Sequence, residues 1–332
     1  MVKHVLFSIL DFAPVRAGET VRDALHQTVQ LARLAEMLGF RRFWVPEHHG
    51  IPLMGSAATA VVIAHIAAQT SKIRVGSGGV MLPNHSPLVV AEQFGTLECL
   101  HHGRIDLGIG RSSGSATPAI AKALRYTPEA RDRFPDDVRE LQSLFAKTMP
   151  DQAVEAVPGA GLEIPIWLLG SSTFSAQQAA MLGLPFVFAT QIGHDELHPA
   201  LDAYRSNFKP SATLASPYAM ICSIAVAADT DEIAETLFSS AKQLLIGGLR
   251  KNHSDLLQPP RDFSISDEEK TMLEKSSRHA IVGSAETVER RIRQLIQATE
   301  ADELMFLSFI HDLTARQRSL EILSHVQARI GG

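Results

Sequence analysis

Residues 31–50 read LARLAEMLGFRRFWVPEHHG. In the first half, Leu31, Ala32, Ala35 and Leu38 fall on one side of a helical wheel, the period of a helix with one buried face. Gly39 is a helix stop. Residues 43–45 then form a short apolar run of strand type, which ends in Pro46-Glu47-His48-His49. Helix, glycine, buried strand and polar turn make half of a βαβ unit. Whether that unit recurs decides the fold.

It recurs along the whole chain. Upstream, 5–10 reads as a strand and 20–38 as the helix that follows it. Downstream, strands are expected at 73–76, 105–109, 166–169, 186–189, 218–227 and 303–309. Helices are expected at 57–69, 88–100, 136–145, 174–182, 196–207, 231–245, 285–298 and 314–330. Eight strand-then-helix units favour a closed (β/α)8 TIM barrel, with an open doubly wound sheet as the alternative. The 332 residues suit one such barrel domain over 1–332. Two polar stretches are too long for simple connections and read as insertions: one after strand 4, over 111–136 and 149–163, and one between strands 7 and 8, over 247–282.

Composition narrows the function. Hydrophobic residues make up 45% of the chain, which is enough for a large core. The formal charge is −5 and no basic block offsets it, which argues against a nucleic-acid partner. Cys99 and Cys222 are the two cysteines, too few and too far apart for a disulfide scaffold or a cysteine zinc site. No run of 18 apolar residues suggests a membrane helix, and the N-terminus lacks the pattern of a signal peptide. A cytoplasmic protein is expected.

In a parallel barrel the active site forms at the C-terminal ends of the strands. Those ends carry Asp11, Glu47-His48-His49, Ser77-Gly78-Gly79, Gly110-Arg111-Ser112-Ser113-Gly114, Gly170-Ser171-Ser172-Thr173 and Thr190-Gln191. The strand starts, such as Arg41-Arg42 and Ser71-Lys72, read as ordinary solvated charge. Adjacent histidines on an extended chain point to opposite sides, so His48 and His49 do not form the metal pair of HExxH, and no metal is expected. A histidine at a strand end suits proton transfer near neutral pH. Ser77-Gly78-Gly79 offers close backbone approach to a flat ligand, or else a bulge.

Residues 108–114, GIGRSSG, fail the dinucleotide pattern GxGxxG at Ser113. Residues 110–114 do fit GxSxG, so a serine hydrolase using Ser112 competes, with Asp195 and then His198 or His253 as partners. The other reading of this stretch is an anion site around Arg111. Gly170-Ser171-Ser172 leads into a helix, where a hydroxyl cap and a bound phosphate are compatible.

Four longer stretches carry a resemblance: residues 31–50, 75–111 (VGSGGVMLPNHSPLVVAEQFGTLECLHHGRIDLGIGR), 164–189 and 207–220. Together they resemble the bacterial luciferase-like, flavin-dependent monooxygenases. The resemblance implies a barrel that binds reduced FMN at the strand C-termini, receives it from a separate flavin reductase, and passes oxygen from a C4a-peroxyflavin to a small organic substrate. It implies an active-site histidine at His48 within Glu47-His48-His49, and a non-proline cis peptide at Gly78–Gly79 beneath the flavin ring. It also implies Arg111, Ser171 and Ser172 around the flavin phosphate, with Ser77, Gly110 and Gly170 beside them. The segment 247–282 falls near the mobile active-site loop of the luciferases, and homodimers are common among them. Related barrels use the deazaflavin F420, the alternative cofactor. Gly110 and Gly170 depart from luciferase, which has a cysteine and an acid there, and light emission is not expected.

Overall fold

The computed structural model describes residues 5–115, 117–250 and 256–331. Nine strands alternate with the helices: β1 (Leu6–Leu10), β2 (Arg42–Val45), β3 (Arg74–Met81), β4 (Ile105–Gly110), β5 (Ile166–Gly170), β6 (Phe186–Ala189), β7 (Ala219–Ala227), β8 (Ile281–Gly283) and β9 (Glu303–Leu307). The helices are α1 (Val21–Met37), α2 (Thr59–Ala68), α3 (Pro87–Leu100), α4 (Pro118–Ala123), α5 (Pro128–Asp132), α6 (Phe134–Phe145), α7 (Thr173–Leu182), α8 (Leu197–Ser206), α9 (Asp231–Leu249), α10 (Asp267–Ser276), α11 (Ala285–Thr299) and α12 (Leu313–Gly331).

All strand pairings are parallel. β1 to β7 follow one another around the ring except that β1 closes on β9, which in turn pairs with β7; β6 also pairs with β7. Eight strands therefore close into a barrel, and the open-sheet alternative is removed. β8 lies outside the ring and pairs only with the far end of β7, Ala225 to Ala227. Strand and helix residues such as Phe7, Phe43, Ile63, Phe94, Val138 and Val326 pack the layer between the barrel and its helices. The helices begin where the sequence gives them caps. Thr20 and Asp23 form a capping box on α1, and Ser172 with Ser175 does the same on α7.

Three sequence expectations need correction. β3 does not stop at residue 76 but continues through Ser77-Gly78-Gly79 to Met81, with a register shift against β4 between Ser77 and Val80. Small residues keep it paired, because a Cβ on Gly76 or Gly79 would lie 2.5 or 2.8 Å from a β4 carbonyl oxygen. The two insertions are not irregular throughout: α4 and α5 occupy the first, and α10 and β8 the second.

The third correction concerns the strand starts. Arg42 is not solvated; it is 7% exposed, inside the N-terminal end of the barrel. Its guanidinium pairs with Asp106 at 2.7 Å and Glu303 at 3.0 Å, and lies over the Trp167 ring at 4.5 Å. Arg74 pairs with the other oxygen of Asp106, Trp44 Nε1 donates to Asp106, and Ser8 and Tyr218 donate to Glu303. Burial pushes Arg42 toward neutrality, but the charges of Asp106 and Glu303 outweigh that and hold it cationic.

Candidate active site

The opposite, C-terminal end of the barrel gathers the predicted site residues on four consecutive strands. Glu47 follows β2, Gly78 and Gly79 lie in β3, Arg111 follows β4, and Ser171-Ser172 follows β5.

Glu47 is buried, and its carboxylate is surrounded by donors. It accepts from the backbone N–H of Met81 at 3.0 Å and from Asn84 Nδ2 at 3.1 Å, and it contacts the Nε2 atoms of His85 at 2.9 Å and His49 at 2.8 Å. Burial pushes the carboxyl up, but His85 and then His49 and Asn84 outweigh it, so it stays below the usual carboxylate range. Glu47 thus ties the end of β2 to the turn after β3. Asn84 also donates to the Ser113 carbonyl, and the His49 N–H donates to the Gly114 carbonyl, which brings in the turn after β4. Gly114 sits at φ +59°, and a Cβ there would meet the Glu47 carbonyl at 2.8 Å.

The two histidines part as an extended chain requires. His49 turns to Glu47, while His48 stacks on Phe12, with ring centroids 5.4 Å apart and planes 17° apart. Phe12 in turn meets Phe309, beyond β9, at 5.4 Å. Burial pushes His48 down to about 4, with Glu47 pulling weakly the other way, so the imidazole is neutral at pH 7.

Arg111 and the start of α7 come together. The Arg111 guanidinium carbon lies 4.0 Å from the ring centroid of Phe174, in the first turn of α7. Among the described residues Arg111 makes no ion pair or hydrogen bond. Burial and the nearby Arg131 push its pKa down from the usual arginine range. The first amides of a helix have no partner within it and point out of its N-terminus. On α7, Ser172 Oγ and Ser175 Oγ form the cap, and Ser171 precedes it half-buried. Gly170 makes room for that cap, since a Cβ there would fall 2.0 Å from Ser175 Oγ. Cation, helix N-terminus and hydroxyls are the groups that could hold an oxyanion.

The remaining predicted residues have structural duties. The Ser77 hydroxyl is buried and donates to the Gly108 carbonyl at 2.8 Å. The Gly78–Gly79 bond is cis, and a Cβ on Gly78 would lie 2.5 Å from Leu10 Cδ1. A Cβ on Gly110 would touch Met81 Sδ at 3.1 Å. Asp11 is buried against Arg316 at 3.3 Å. Among the described residues the hydrolase constellation does not assemble. Ser112 Oγ accepts from the Gly114 N–H, Asp195 pairs with Arg278 at 2.6 Å, and His198 is exposed on α8. His253 lies outside the described residues. Asn84, His85, Phe12 and Phe174 were not singled out in the sequence. Asn84 and His85 sit in a short polar turn, and nothing in the local sequence marks the two phenylalanines.

The family model for luciferase-like monooxygenases matches residues 5–303. The chain belongs to the luciferase-like monooxygenase family, a family of oxidoreductases. It is 45% identical over 333 aligned residues to a luciferase-like monooxygenase of Escherichia coli K12, covering 99% of each chain. It is 34% identical to apo-MsnO8, whose crystal structure superposes with a TM-score of 0.86 over 97% of this chain and 98% of that one. More distant barrels share the fold. The oxygenating constituent of 3,6-diketocamphane monooxygenase from Pseudomonas putida, solved with FMN, is 19% identical (TM-score 0.75, 98% of each chain). An F420-dependent secondary alcohol dehydrogenase, solved with an F420-acetone adduct, is 15% identical (TM-score 0.69, 97% and 98%). Barrels of this kind thus use FMN or F420. Among the described residues no helix is long and apolar enough to cross a membrane.

Proposed function

We propose that the chain is the oxygenating component of an FMN-dependent monooxygenase, taking reduced FMN from a separate flavin reductase and acting with O2 on a small organic substrate. The observation that carries this reading is Arg111, a cation with no carboxylate partner among the described residues, held over Phe174 at the N-terminus of α7. The terminal phosphate of FMN fits that seat: Arg111 supplies the charge, the first amides of α7 supply donors, and Ser171 and Ser172 supply hydroxyls. The resident groups suit the cofactor, because the seat and His48 share one rim with the glycine backbone of β3 between them. F420 offers the same seat a phosphate, but its deazaflavin ring is a hydride carrier and does not activate oxygen. Membership of a monooxygenase family therefore favours FMN.

When bound, reduced FMN supplies the two electrons that let O2 place one atom in a substrate and the other in water. The protein positions and screens this chemistry. His48, which burial keeps neutral at pH 7, can accept a proton at its imidazole. Glu47, His49, His85 and Asn84 hold the turns on either side of it and act as positioning residues. Phe12 and Phe309 wall the His48 side against water.

The test is anaerobic loading with reduced FMN followed by oxygen. The protein-bound flavin should release hydrogen peroxide much more slowly than free reduced FMN. Peroxide appearing as fast as from free flavin would sink the reading. Tighter binding of reduced F420 than of reduced FMN would replace it with the hydride-transfer alternative.

A further inference from the structure

A cavity of about 300 Å3 opens beside the His48 wall, bounded by the loop after β2, the C-terminal half of α9 and the segment 256–263. Phe309 lines it, and the same ring meets Phe12, which stacks on His48. We infer that this cavity seats the substrate, and that the substrate is an uncharged, largely apolar molecule of modest size. The inference rests on the oxygenase reading and adds to it the substrate class.

The walls decide the class. Most of the lining is apolar, with Leu53, Met54, Leu244, Leu245, Phe263 and Phe309 among it. The polar side chains among them already have protein partners. Gln243 donates to the Pro259 carbonyl at 3.0 Å and accepts from Arg261 Nε at 2.6 Å. Gln258 donates to the Leu256 carbonyl at 3.1 Å. Arg250 is neutralised by Glu269, at 2.6 Å from Nε and 3.0 Å from the second guanidinium nitrogen. Arg261 is exposed and donates to Gln243. Among the described residues no lining carboxylate and no inward unpaired cation is left for an ionic substrate, and a charge brought into such a space without a partner is strongly disfavoured. The size follows from the volume. A water takes about 30 Å3, so the space holds on the order of ten non-hydrogen atoms, at the small end of ligand pockets.

Three probes of one chain length and different charge test this: octan-1-ol, octanoate and octylammonium. Each is titrated into the full chain without flavin, read by ligand-observed NMR. Octan-1-ol should bind at least tenfold more tightly than either ion. Met54→Trp, which fills the cavity, and Leu245→Asn, which makes its wall polar, should each weaken octan-1-ol at least tenfold while FMN affinity stays unchanged. Two substitutions from different walls guard against one that fails to fold, which circular dichroism detects. A preference for octanoate would mean that Arg261 selects the ligand and would overturn the inference. So would no binding of octan-1-ol, or binding that survives in every folded variant. Because no flavin or oxygen is used, a failed peroxide test with octan-1-ol binding intact would count against the oxygenase reading alone.

Discussion

The two ends of the barrel both carry charge, but they use it differently. At the N-terminal end, Arg42, Arg74, Asp106 and Glu303 are matched: each of the three most buried groups has an opposite charge within 3.0 Å. At the C-terminal end, Arg111 lies over an aromatic face and makes no ion pair among the described residues, and Glu47 is held by imidazoles and neutral donors. A closed network stabilises the structure and has nothing to offer a ligand. An unmatched cation beside a helix N-terminus does little for stability and is ready for an anion. The difference separates a polar plug from a polar site.

The largest expected effect comes from breaking the plug. Arg42→Met leaves Glu303 buried without a cation and Asp106 with Arg74 alone. It should cost about 3–5 kcal/mol of stability, read as a lower urea midpoint. Adding Glu303→Gln should recover much of it, because the uncompensated charge is then gone while Asp106 keeps Arg74. A loss below about 1 kcal/mol for Arg42→Met would mean that the N-terminal end is wetter than its 7% exposure suggests.

Arg111→Ala should do the reverse. Its stability change should stay within about 1 kcal/mol, the most its contact with Phe174 contributes. Its effect belongs to binding: losing a charged hydrogen-bond partner should weaken FMN by about 1.5–3 kcal/mol, roughly ten- to a hundredfold. Riboflavin lacks the phosphate and should be almost unaffected. Equal losses for FMN and riboflavin, measured by equilibrium dialysis, would remove Arg111 from the phosphate seat.

The sequence showed more of one end than of the other. The eight barrel strands were legible because each is a short apolar run between helices of one buried face. Clustering of Gly, Ser, Arg and His at strand C-termini was legible too, since turns tolerate such residues and strands do not. Arg42 was misread because a charge at a strand start is usually solvated; only the closed ring reveals that it points inward at Asp106 and Glu303, 64 and 261 residues away. β3 was cut short because glycine is a poor strand former, while here close packing on β4 requires it. The inserted helices had signals that could have found them. Thr117-Pro118 and Thr127-Pro128 place a cap before a proline at the first helical position, and Ser266 with Glu269 is a capping box. His85 and Asn84 gave no such signal, because their role comes from a carboxylate on a neighbouring strand.

Glu47 tests the rim as a structural unit. Glu47→Gln keeps the shape but removes the charge that faces His85 and His49, and should cost about 1–2 kcal/mol at pH 7. Its acid dependence has a definite sign. Glu47 titrates below its ordinary range in the folded chain, and His48 at about 4, so the unfolded chain binds more protons as the solution becomes acid. Stability should be full above pH of about 6.5, the ordinary histidine value, and fall toward about 4 as unfolded His48 takes up its proton. The Glu47 contribution is present above the ordinary carboxylate value and is lost below it. His48→Gln should flatten the upper part of this limb and Glu47→Gln the lower. Urea midpoints measured across that pH range give both slopes, and an unchanged upper slope in His48→Gln would show that the imidazole is not desolvated.

The smallest effect asks how Arg111 is kept ready. Its contact with Phe174 is worth about 0.5–1 kcal/mol at a partly exposed site. Phe174→Leu removes the ring while keeping an apolar side chain in the first turn of α7, so the helix and its Ser172 cap should survive. If the ring holds the guanidinium over the helix N-terminus before the phosphate arrives, FMN should weaken a few-fold, with riboflavin unchanged and the urea midpoint barely moved. If the phosphate must instead pull Arg111 off the ring, the same variant should bind FMN more tightly, because the competing partner is gone. The sign of that change distinguishes a preorganised cation from a parked one, and it bears directly on whether the C-terminal end is unmatched by design or only until its ligand binds.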